Sequence, residues 1–133
     1  MSLEKAVRAI LIADGTTTGL VSSRIYPQRR PMGTALPAIV YMNVFSHENE
    51  ALESQSGIRR ARMSIEVMSA TYGGNKTLRD AVEAALINYT GTISGATINS
   101  VRLESSVDID EINTPASEFG TFRTIMDFII WYE

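Results

Sequence analysis

Cysteine is absent from this chain, and histidine and tryptophan occur once each. Without cysteine there is no disulfide, no thiolate nucleophile and no zinc–sulfur site. Burial, hydrogen bonding or association with other chains must therefore hold the fold. The single histidine, His47, cannot build a multi-histidine zinc site, and no serine motif stands by to make it a catalytic base. No segment reaches the ~18 consecutive apolar residues of a membrane helix. Met1-Ser2-Leu3-Glu4-Lys5 lacks the basic start and apolar run of a secretory signal. A soluble, intracellular protein is expected, in which the glycosylation triplets at Asn75-Lys76-Thr77 and Asn88-Tyr89-Thr90 mean nothing. A net charge of −3 lacks the basic excess of bulk nucleic-acid binding, although a local basic patch stays open.

What is present reads as one domain, 1–133, with a real core, since 133 residues are short for two domains and only 20% are charged. The stretch from Ile58 to Asn88 organises it. Ala61, Met63, Ile65 and Val67 alternate with Arg60, Arg62, Ser64 and Glu66, the period of a half-buried strand. Thr71-Tyr72-Gly73-Gly74-Asn75 breaks that strand, with Asn75 as the expected helix cap. Leu78, Ala81, Val82, Ala85 and Leu86 then repeat at helical spacing.

Upstream, Leu3, Ala6, Val7, Ile10 and Leu11 predict a first helix over 2–13, closed by Asp14-Gly15 and followed by a polar connection over 16–23. Arg24-Ile25-Tyr26-Pro27 predicts a short edge strand, limited by its proline, and the three prolines Pro27, Pro31 and Pro37 an extended loop. Residues 38–45 form a strand with apolar residues on both faces, Val40, Met42 and Val44 against Ile39, Tyr41 and Phe45. Residues 97–104 and 121–132 complete the strands, separated by acidic loops over 47–57 and 105–120. These patterns predict an α+β fold: an antiparallel four- to five-stranded sheet with two helices packed on one face. The second face would keep Ile39, Tyr41, Phe45, Ile125, Ile129 and Trp131, an apolar extent that marks a subunit interface; loops covering it within the monomer are the alternative.

No constellation specifies a reaction. Gly73-Gly74-Asn75-Lys76-Thr77 lies between strand and helix but lacks both the Gly-Lys pair and the earlier glycine of a phosphate loop. Asp108-Ile109-Asp110-Glu111 lacks the ligand spacing of a calcium loop. Basic residues gather at Arg59, Arg60 and Arg62, joined by Arg29 and Arg30. Glu48, Glu50 and Glu53, with Asp108, Asp110 and Glu111, offer them complementary charge across an interface; a solvated strand face explains the same arginines equally well.

Taken together, Arg24-Ile25-Tyr26-Pro27, Pro31-x-Gly33-x-x-Leu36-Pro37-Ala38-Ile39-Val40-Tyr41, Arg60 to Val67, Ala70-Thr71-Tyr72, Leu78-x-x-Ala81-Val82 and the Phe122 to Tyr132 strand resemble the tail-completion, or head–tail joining, proteins of tailed phages and prophages. These are the tail terminators. The resemblance covers nearly the whole chain, with Gly73-Gly74 a local departure. It implies a structural virion protein with no catalytic residue and no cofactor. Such a subunit forms a ring, usually of six, that caps the tail tube and meets the head connector, with DNA passing through its lumen. It is built in the host cytoplasm and resides in the virion tail. A stand-alone binding or regulatory module, or a small nucleic-acid-binding protein using Arg59, Arg60 and Arg62, is the competing reading.

Overall fold

In the computed structural model, residues 2–28, 35–48, 58–111 and 121–133 are described. In chain order the elements are α1 (Ser2–Ala13), α2 (Gly15–Val21), β1 (Ile25–Pro27), β2 (Ala38–Glu48), β3 (Arg59–Ser69), α3 (Tyr72–Ile87), β4 (Gly91–Ile93), β5 (Ala96–Glu111) and β6 (Thr121–Tyr132). The strands make one sheet in the order β1-β2-β3-β6-β5-β4. Every pairing is antiparallel except β1 with β2, which is parallel. The α+β class stands. Among the described residues, the finer expectation is corrected to three helices and a six-stranded mixed sheet.

Each departure has a local cause. The 16–23 connection is helical because Asp14, which ends α1, also caps α2: its Oδ2 accepts from Thr17 N at 3.0 Å and Thr17 Oγ1 at 2.6 Å. β4 and β5 form a tight hairpin through Ser94 (φ 50) and Gly95 (φ 85), the double left-handed geometry whose twist suits a two-residue turn. β5 runs on to Glu111 where an acidic loop was expected, because β6 pairs with it along its whole length, Ile98 against Tyr132 through to Glu111 against Thr121.

The core lies between the helices and one sheet face. Leu3, Val7 and Leu11 of α1 and Leu78, Val82 and Leu86 of α3 meet Met63, Ile65 and Val67 of β3 and Met126, Phe128 and Ile130 of β6, all at most 1% exposed. Burying each such side chain contributes about 1.5–3 kcal/mol. Ile39 and Tyr41 belong to this same face, because Ile39 pairs with Val67 and Tyr41 with Ile65. Both are buried in the core cluster. Burial raises the Tyr41 phenol's pKa, while Arg8 of α1 lowers it and Glu4 raises it. Their expected place on the uncovered face is thereby corrected.

Candidate subunit interface on the outer sheet face

The second face is built by the alternate residues of β3 and β6. Arg60, Arg62, Ser64 and Glu66 stand in register with Trp131, Ile129, Asp127 and Ile125. On β5 the matching positions are Ser100, Arg102, Ser105 and Val107. Ile125 and Trp131 are half-buried and Ile129 is 5% exposed, so these three expected interface residues share one face. On β2, the irregular register at Val44 sets Phe45 opposite Arg62. Phe45 therefore holds an outer-face register position while Ile39 and Tyr41 do not.

This face is neither purely apolar nor purely basic. Arg62 Nη2 lies 3.6 Å from Asp127 Oδ2, and Arg62 Nε is buried without an acceptor among the described residues. Arg123 forms an ion pair with Glu66. The Arg102 guanidinium sits 5.4 Å from the Trp131 ring centroid and also meets Glu104 at 2.9 Å. A cation over an indole face gains about 0.5–1 kcal/mol at exposed sites. The arginines therefore hold the aromatic and carboxylate groups of their own face, which leaves less of their charge to attract a polyanion.

Of the other polar candidates, Arg29, Arg30, Glu50 and Glu53 lie outside the described residues. Glu48, Asp110 and Glu111 are strand residues, opposite Arg59, Phe122 and Thr121 respectively, which corrects their expected loop setting. Arg59 and Arg60 are exposed at the open end of β3.

Asp108 does not belong to the outer face. Its register with Thr124 turns it to the helix side, where it pairs with Lys76 and receives the Thr124 hydroxyl at 2.8 Å. The Lys76 hydrogen bond, then that of Thr124, holds its carboxyl below the usual range. Among the described residues no three His, Cys, Asp or Glu side chains gather as a metal site would require.

The start of α3 differs from its sequence reading. Thr71, not Asn75, is the cap, its Oγ1 accepting from Gly74 N at 3.1 Å. Asn75 is 3% exposed inside the helix. Its amide, oriented to satisfy its neighbours, donates to the carbonyls of Phe122 (3.1 Å) and Val67 (3.2 Å), and its oxygen lies 2.8 Å from Thr124 Oγ1, whose single hydroxyl proton it shares with Asp108. It pins α3 to both central strands. Gly74 is needed there, because a Cβ would lie 2.6 Å from Thr71 Oγ1. The clue in the sequence was Thr71 three residues before Gly74; the buried role of Asn75 had no sequence signal.

The tail completion protein gp17 family matches residues 5–133. The chain belongs to that family. Its members are structural proteins of the phage tail, and the chain takes that place as a tail protein of a virion. No curated protein matches the chain. Among solved structures, a chain from the "Virion of native gene transfer agent (GTA) particle" is similar at 19% identity. It has a TM-score of 0.71, with 99% of this chain and 95% of that one covered. That likeness concerns the fold.

Proposed function

We propose that this protein is a tail terminator, a subunit of a six-membered ring that caps the tail tube and joins it to the head connector. The observation that carries the reading is the family match over nearly the whole chain, residues 5–133. The fold supports it. A core closed by helices on one side leaves a sheet face where Ile125, Ile129 and Trp131 are interleaved with ion pairs, the mixed composition of an interface between separately folded subunits. In this reading that face contributes to subunit contact, and DNA crosses the lumen. No chemistry is assigned to the chain.

Light scattering across a concentration series, with negative-stain imaging, tests this. A hexamer-sized ring is expected, alone or on addition of tail-tube protein. A monomer under both conditions refutes the reading.

A further inference from the structure

The two outermost long strands each carry a short companion at one end only. β1 covers β2 along Ile39–Tyr41, and β4 covers β5 along Ala96–Ile98. Beyond those stretches, among the described residues, no strand flanks β2 on that side toward Glu48, nor β5 toward Glu111. Such edges present rows of backbone donors and acceptors, which proteins usually blunt with charge, proline or cover. Here the open lengths carry Met42, Val44 and Val107, at 40%, 50% and 54% exposure. They are three of the five large apolar side chains exposed among the described residues, so exposed apolar surface concentrates along the stretches that no described strand flanks.

The two edges also match in direction. β2–β3, β3–β6 and β6–β5 each reverse the chain, so β2 and β5 run opposite ways. A copy set beside the first by rotation, with the same face outward, brings its β2 antiparallel to the first copy's β5. We propose that copies of this chain join edge to edge, β5 of one pairing with β2 of the next, into a sheet continuous around the ring. This rests on the ring reading above. The contact is heterologous, one edge meeting a different edge, and closure leaves neither long strand with an open edge. β1 acts as a stop: it occupies the edge up to Tyr41, so Glu111 at the end of an incoming β5 comes no further than Met42. Val107 then falls within about two residues of Val44 of the neighbour, a diagonal separation of roughly 7–8 Å.

The absence of native cysteine makes the test clean. The variant Val44→Cys/Val107→Cys, altered at exposed positions, is treated with a short bismaleimide under conditions where rings are seen. A ladder of covalent multimers is expected. Val44→Cys chains mixed with Val107→Cys chains should yield crosslinked pairs and nothing longer, and each single variant alone should stay uncrosslinked. Rings without crosslinks in the double variant overturn the edge pairing while the tail-terminator reading stands. Crosslinks formed by either single variant alone overturn it as well, because they report a like-with-like contact. A chain that stays monomeric even with tail-tube protein overturns both.

Discussion

Asn75 offers the sharpest test of how the helix layer is fixed to the sheet. Its amide donates to carbonyls of β3 and β6 and its oxygen shares the Thr124 hydroxyl with Asp108, in a site 3% exposed. In Asn75→Ala those partners lose their bonds with little water to replace them. A net hydrogen bond is worth about 1 kcal/mol and a stranded buried group costs about 1–3 kcal/mol. Partial relaxation leaves an expected loss of about 2–4 kcal/mol. With a urea slope of about 1–3 kcal/mol per molar for a small protein, the midpoint should fall by roughly 1–2 M. Asn75→Asp separates the bonding argument from simple cavity formation, because it nearly conserves volume. An ionised carboxylate cannot donate to two carbonyls, whereas a protonated one keeps one donor. Burial raises its pKa, so the penalty should be greatest near neutral pH and shrink as the solution is acidified. An Asn75→Ala loss below about 1 kcal/mol, or a pH-independent Asn75→Asp penalty, would refute the account.

Other outcomes follow from the same geometry. Gly74→Ala should cost about 1–2 kcal/mol by forcing Thr71 out of its capping position, read as a lowered Tm; an unchanged Tm would show the cap to be dispensable. Phe128→Ala, at a fully buried site, should cost about 3–5 kcal/mol in chemical denaturation. Asp108 has a folded-state pKa below its unfolded value, so its pair with Lys76 stabilises above the unfolded value of about 3.9. That contribution is lost as pH falls through the lower folded pKa. The stability gap between wild type and Asp108→Asn should therefore hold from pH 8 to 5 and close in stronger acid, staying below about 1 kcal/mol because the carboxylate is exposed. Trp131→Glu should abolish ring formation while leaving a folded monomer by circular dichroism; normal rings would remove the outer face from the interface.

The elements most legible in sequence were those whose pattern had one period and one apolar face. β3 alternated through most of its length, and α1 and α3 carried an apolar stripe, so their core faces were readable residue by residue. The distal half of β5 was not, because Ser105-Ser106-Val107-Asp108-Ile109-Asp110 carries the composition of a loop. It is a strand because β6 supplies the pairing and because Lys76 and Thr124 satisfy Asp108. No local signal announces partners 32 and 16 residues away. α2 was hidden for a related reason: threonines and glycines are weak helix formers, and its stability comes from the Asp14 cap and from burying Thr17 and Val21.

The candidate interface divided along a finer line. In β2 both faces are apolar, so alternation alone could not say which set met the helices, and grouping Ile39, Tyr41 and Phe45 assumed an unbroken period of two. The extra residue at Val44 breaks it. A one-residue slip moves every later side-chain position to the other face, so Phe45 registers with Arg62 although Tyr41 registers with Ile65. β5 carries irregularities of its own at Asn99 and Glu104. Bulges sharpen twist and gather at sheet edges, and here they lie in the two strands whose outer edges extend past their short companions. The feature that defeated the face assignment is thus located where the proposed contact between copies would form. Straightening β2 by deleting Val44 should therefore abolish ring assembly by light scattering while leaving a folded monomer by circular dichroism.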